Sequence, residues 1–248
     1  LVEGDRVLTT DMEHGGGLVA WQHYVDLGLL DAIDYATMPA PPPNDMTAAD
    51  IVAIFEAKFT TQTKVLFVSH CTTTNGLVLP LEELAALAHS HGALFVVDGA
   101  QGAGGISVDL DGSGVDAYTV SAHKWFLAPT GSGLLYLRNS TTALTVTPII
   151  LDEGPSSYTQ ASGTRPLHTI AGFGYALDWF AAVGGLTAAE TYNSELYAAS
   201  YALMQPMEDE FQGFKILSAT PESDLSGALL AMQMPDNMVN SDVQSTLR

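Results

Sequence analysis

Basic residues are what this chain has least of for its size. Only 8 of its 248 residues are Lys or Arg, against 28 Asp plus Glu, which leaves a formal charge of −20. Nucleic acids and anionic membrane surfaces are gripped by clustered Lys and Arg, so neither is expected as a partner. No apolar run approaches the roughly 20 residues needed to cross a bilayer. The opening Leu1-Val-Glu-Gly-Asp-Arg6 has neither the basic nor the apolar stretch of a secretory signal. Cysteine is almost missing. Cys71 stands alone, which excludes an internal disulfide and suits a reducing, cytoplasmic setting. Because it follows an apolar strand, it reads as a small hydrophobe rather than a nucleophile. His89 and His91 lie close together without a convergent set of acids or cysteines, so no metal site is expected.

What the chain does have is apolar content, 47% of its residues, arranged as alternating strands and helices. Strands are expected near residues 5–9, 33–38, 64–70, 93–97 and 117–120, and helices over 18–30, 47–58 and 80–91. Thr47-Ala-Ala-Asp50 is an N-cap pattern, and Pro80 suits a first helical turn. This alternation, from residue 5 to 138, predicts an α/β fold with a mostly parallel, doubly wound sheet covered on both faces. The expected division is a large domain over 1–165, then connecting helices and part of a small α+β domain over 166–248. In the second part a helix is expected at 169–183. A second, opened by Thr187-Ala-Ala-Glu190, runs to about residue 210. Strands at 214–218 and 226–234 and a helix start at 241 complete the reading.

Lysine is scarce, with Lys58, Lys64, Lys124 and Lys215 the only four. One of them, Lys124, follows the strand at 117–120 and is flanked by His123 and Trp125. Asp98 ends the strand at 93–97. In open α/β sheets ligands collect at the carboxyl ends of the strands, where both residues fall. A lysine in such a setting is expensive unless it is neutral or covalently used. Taken singly, Asp98 ahead of Gly99 reads as a turn aspartate and Lys124 as a strand-end charge. Together they are the pair that pyridoxal phosphate requires: a carboxylate to hold the ring nitrogen protonated and an amine to form a Schiff base.

At these residues the chain resembles the class V aminotransferase family of pyridoxal phosphate enzymes. The resemblance is carried by Val96-Val-Asp-Gly-Ala-Gln101, Asp116-Ala-Tyr-Thr-Val-Ser-Ala-His-Lys-Trp125 and Ala128-Pro-Thr-Gly-Ser-Gly-Leu-Leu-Tyr-Leu-Arg138, and it runs from about Val7 to about Gly185. It implies the fold type I of pyridoxal-phosphate-dependent transferases, with pyridoxal 5'-phosphate as cofactor. The 1–165 domain would then bind that cofactor. An amino-acid-like substrate and a homodimer with shared active sites are also implied. Trp125, and Ala128-Pro129 where cysteine desulfurases usually carry Gly-Pro, lean toward the isopenicillin-N-epimerase-like branch, which also holds C–S lyases.

By the same resemblance Lys124 carries the Schiff base and then moves the Cα proton, while Asp98 pairs with the ring N–H. His14, in Asp11-Met-Glu-His14, stacks on the ring, and the three glycines after it imply a loose loop. Gln101 donates to the phenolate oxygen, Ser121 and His123 to the phosphate, and Thr73 touches the ring substituents. Ser162-Gly-Thr-Arg165 matches a segment that crosses a dimer interface. This makes Thr164 a phosphate ligand in the neighbouring subunit and Arg165 a partner for an anionic substrate group. Plainer roles stay open beside these: a supporting hydrogen bond for His123, a simple turn for Thr73, an interface salt bridge for Arg165. The family's N-terminal arm and its substrate-carboxylate arginine fall outside this sequence, so the resemblance covers the middle of an enzyme. Epimerisation, C–S lysis, desulfuration and transamination all begin from this chemistry. A non-catalytic paralogue that keeps the fold for binding or dimerisation is the rival reading.

Overall fold

The computed structural model describes residues 1–138, 166–235 and 237–246. Six strands form one sheet: β1 (Arg6–Thr10), β2 (Ala32–Ala36), β3 (Thr63–Ser69), β4 (Leu94–Asp98), β5 (Ala117–Ser121) and β6 (Gly133–Leu137). Their order is β2-β1-β3-β4-β5-β6. The first five are parallel, and β6 returns antiparallel to β5. Three helices, α1 (Gly15–Asp26), α2 (Ala48–Glu56) and α3 (Leu81–Ser90), make three of the four parallel crossovers, and β4 passes to β5 without a helix. The mostly parallel, doubly wound sheet expected from the sequence is therefore the observed one.

Strand periodicity explains why both faces are covered. On one face Leu8, Leu66, Val68, Phe95, Val97 and Tyr118 pack with Ile51 and Phe55 of α2 and Leu84 and Ala88 of α3. Their neighbours in sequence, Val7, Val65 and Phe67, point the other way and meet Leu18, Trp21 and Val25 of α1. Successive side chains of a strand alternate faces, so apolar residues at every position require a helix on each side.

Helix ends here follow local chemistry, and strand ends follow tertiary contacts. Thr47 and Asp50 form the expected capping box at the start of α2, each side chain satisfying the other's backbone N–H. The remaining helices are α4 (Leu167–Ala182), α5 (Gly185–Met204), α6 (Met207–Glu210) and α7 (Asn240–Thr246), with a two-residue antiparallel pair, β7 (Lys215–Ile216) and β8 (Met232–Gln233). Three expectations are corrected here. Helix α1 begins at Gly15, ahead of the expected residue 18, because His14 caps the glycine run. The helix expected from Thr187 to about residue 210 is two: α5 starts at Gly185 and stops before Pro206, which lacks an N–H and opens α6. The strands expected at 214–218 and 226–234 shrink to β7 and β8. Their flanks bond instead to the loop after β3: Val78 N donates to Leu225 O at 2.9 Å and Ser218 Oγ to Asn75 O at 2.6 Å. Among the described residues, no helix is long and apolar enough to cross a membrane.

Candidate active site

Strand register assembles the floor of the site. Ser69 stands opposite Asp98, and Asp98 opposite Thr119, at the carboxyl ends of three adjacent parallel strands. All three line one cavity of about 600 Å³, within the range of roughly 300–1,000 Å³ typical of small-molecule sites. The same cavity is bordered by Lys124, His14, Gln101, Ser121, His123 and Thr73. Thr164 and Arg165 lie outside the described residues.

Lys124 is presented by two tight turns. Lys124 N donates to Ser121 O at 3.1 Å and Leu127 N to Lys124 O at 3.0 Å, which folds the chain back over the end of β5. Leu127 holds a left-handed φ of 55° to complete this reversal, a strained conformation for a branched residue and one often found beside functional groups. The Lys124 side chain is half-buried and makes no hydrogen bond or ion pair among the described residues. Lys124 borders the cavity with its amine unpaired.

Asp98 is anchored by one oxygen: Oδ1 accepts from Ala100 N at 2.9 Å. Its Oδ2 lies beneath the first turn of α1, where a Cβ on Gly17 would stand 3.4 Å away and would also come within 2.9 Å of Phe67 Cζ. Glycine at 17 lets the helix approach the sheet and leaves that wall of the cavity bare. The glycines after His14 are thus the first turn of α1 and not a loose loop. His14 Nδ1 accepts from Gly16 N at 3.0 Å, so a neutral His14 carries its proton on Nε2.

Gln101 Oε1 accepts from Trp125 Nε1 at 3.0 Å. His123 is exposed, and its Nδ1 donates to Ser132 O at 3.3 Å. A second donor, at Nε2, exists only in the imidazolium form. The Thr73 and Ser121 hydroxyls make no hydrogen bond among the described residues and line the cavity.

Some of the surroundings were not foreseen. Glu13 accepts from Ser69 N at 2.8 Å, Ser69 Oγ at 2.6 Å and Thr10 Oγ1 at 2.6 Å. Burial raises its carboxyl above the usual range, the hydrogen bonds pull the other way, and the charge of nearby Asp98 adds to the rise. Glu13 belongs to the Asp11-Met-Glu-His14 motif, but nothing local says that it reaches Ser69 across 56 positions. Beneath Asp98, Tyr118 OH and His70 Nδ1 lie 2.9 Å apart. Burial drives His70 down to about 4 and keeps it neutral. Burial likewise pushes the Cys71 thiol up to about 12, so Cys71 borders the cavity as an unreactive thiol. Among the described residues no cluster of His, Cys, Asp and Glu is arranged to hold a metal; His89 instead meets Asp116 at 2.8 Å and His91 meets Glu56 at 3.1 Å.

Comparison with known proteins accords with this geometry. A family model described as aminotransferase class-V matches residues 1–229. A cysteine desulfurase of Shigella flexneri is 30% identical over 216 residues, covering 82% of this chain and 50% of that protein. One from Escherichia coli is 29% identical over 238 residues, covering 90% and 53%. The chain spans about half the length of these curated relatives. Among solved structures, the cysteine desulfurase CsdA of Escherichia coli superposes with a TM-score of 0.77 at 22% identity, covering 100% of this chain and 60% of that one. The cystine C–S lyase C-DES, solved with cysteine persulfide, gives 0.79 at 20% identity, covering 100% and 66%. With a family match over nearly its whole length and a sheet of the corresponding architecture, the chain belongs to the aminotransferase class-V family, which has fold type I and uses pyridoxal 5'-phosphate.

Proposed function

We propose that this chain forms the cofactor-binding part of a pyridoxal-phosphate-dependent enzyme acting at Cα and Cβ of an amino-acid-like substrate, with C–S cleavage as its reaction. One observation carries the reading: an unpartnered lysine amine, a half-free carboxylate and an oriented amide border one cavity at the ends of β4 and β5. The donor set suits the cofactor. A chain of charge −20 must hold an anion by local donors, and the hydroxyls of Ser121 and Thr73, with Nε2 of His123 in its imidazolium form, are such donors. When bound, pyridoxal phosphate supplies an electron sink conjugated with the substrate Cα.

The residues divide the work by chemistry. Asp98 Oδ2 would keep a proton on the ring nitrogen of the bound cofactor, a charge-assisted bond worth roughly 1.5–3 kcal/mol. Gln101 would donate to the ring oxygen of the bound cofactor, and His14 would stack on its ring. Lys124 would hold the cofactor through its amine and would move the proton at the substrate Cα. Thr164 and Arg165 keep the roles that the family resemblance implies for them, completing a neighbouring subunit's phosphate and substrate contacts. A homodimer belongs to this reading. Apolar side chains that are exposed among the described residues, such as Val19 on α1 and Ile170 and Tyr175 on α4, support it. A cytoplasmic setting also belongs to this reading, on the ground of a single buried cysteine.

C–S cleavage rests on the similar proteins, which are described as cysteine desulfurases and a cystine C–S lyase. Epimerisation is the second reading, favoured by Trp125 after the lysine and by Ala128-Pro129. The two separate in one experiment. The full-length protein, supplied with pyridoxal phosphate, is given L-cysteine and L-cystine, and both released sulfur and the configuration of recovered amino acid are measured. Sulfur release is expected, falling by about 100- to 10,000-fold in Lys124→Ala. Inversion at Cα without sulfur release would select the epimerase reading, and undiminished turnover in Lys124→Ala would remove Lys124 from the chemistry.

A further inference from the structure

The residue after the lysine has a polar contact of its own. Trp125 Nε1 donates to Gln101 Oε1 at 3.0 Å. An indole N–H can only donate, so the Gln101 atom that faces it must be the carbonyl oxygen. The amide nitrogen, with its two hydrogens, is then turned away from the indole, and Gln101 borders the cavity that also holds Lys124 and Asp98. The indole is itself clamped. Its ring lies against the Cα of Gly105, where a Cβ would come within 2.9 Å of Cδ2 and 3.2 Å of Cε2. That loop is tied in turn to α5: Asn193 Nδ2 donates to Gly105 O at 3.0 Å and Ser107 N to Glu190 Oε1 at 2.9 Å.

We infer that Trp125 is a positioning residue, fixing the rotation of the Gln101 amide so that its N–H groups, and not its carbonyl, face the ring oxygen of pyridoxal phosphate. The inference rests on the cofactor reading above. An amide without a fixed partner can present either end at little cost. The carbonyl end would set a negative dipole against an oxygen that carries negative charge, while the N–H end stabilises that charge and makes the oxygen less basic. Trp125 therefore acts on the cofactor through Gln101.

Two measurements test this. The first uses NMR of the cofactor-free full-length protein. Trp125 is one of three tryptophans in this chain, and its indole resonance is identified by its loss in Trp125→Phe. In Gln101→Leu that resonance should move and lose its protection from solvent exchange; an unchanged resonance would overturn the contact. The second follows the visible absorption of the bound cofactor with pH. Trp125→Phe and Gln101→Leu should each raise the titration midpoint by about one pH unit, and the double variant by no more than either alone. A Trp125→Phe midpoint equal to wild type, or additive shifts in the double variant, would overturn the inference. Should Trp125→Phe fail to fold, Trp125→Met, an apolar side chain of similar reach without an N–H, takes its place in both measurements. Wild-type protein that takes up no cofactor would sink the underlying reading and the role toward the ring oxygen with it. The indole resonance distinguishes that failure from failure of the Trp125–Gln101 contact.

Discussion

At the scale of single residues, Gly99 is the position with least room. A methyl group there would come within 1.9 Å of Tyr118 Cε1. Tyr118 is fully buried and its hydroxyl bonds to His70, so the ring cannot swing aside without breaking a buried polar contact. Gly99→Ala should destabilise the protein by roughly 1–3 kcal/mol or more, as over-packed cores do, measured by urea unfolding. A variant as stable as wild type would show that the Tyr118 ring has room to shift. That Asp98, Gln101 and Lys124 border one cavity was legible in the sequence because each sits in a compact motif just at or after the end of a parallel strand. The Trp125–Gln101 bond and the reach of Glu13 to Ser69 were not. Both depend on which atoms face each other across a loop, and no spacing rule encodes that.

At the scale of elements, two segments with the same pattern behave differently. Thr47-Ala-Ala-Asp50 caps α2 by the reciprocal bonds its sequence predicts. Thr187-Ala-Ala-Glu190 caps nothing: α5 has already begun at Gly185, and the Glu190 carboxylate accepts from Ser107 N and Oγ. A long-range partner outcompetes the local one, and local reading has no access to it. The strands of the sheet were readable because the period-2 burial of both faces leaves apolar residues at nearly every position, bounded by turns. The segments at 214–218 and 226–234 are apolar too, yet only two residues of each pair as strand. Ser218 and Leu225 are drawn to Asn75 and Val78 instead.

At the scale of the whole molecule, the acid-rich charge leaves few cations to hold an anionic ligand, so binding depends on the geometry of one sheet edge. Stability depends on pH through the core beneath that edge. The folded protein keeps His70 neutral down to about 4, whereas the unfolded chain protonates it near 6.5. The depressed value means that the contribution is fully present above 6.5 and is lost as pH falls toward 4. Between about pH 7 and about pH 4.5, wild type should therefore lose roughly 2–3 kcal/mol more stability than His70→Gln. Parallel urea-unfolding curves for the two proteins would show that His70 is not held neutral. The central claim is that Lys124 is the residue to which pyridoxal phosphate attaches. Borohydride reduction of the cofactor-loaded full-length protein, followed by proteolysis and mass spectrometry of the peptides, measures it directly. A pyridoxyl group fixed on Lys124 is the expected result; the group on any other lysine, or on none, would contradict it.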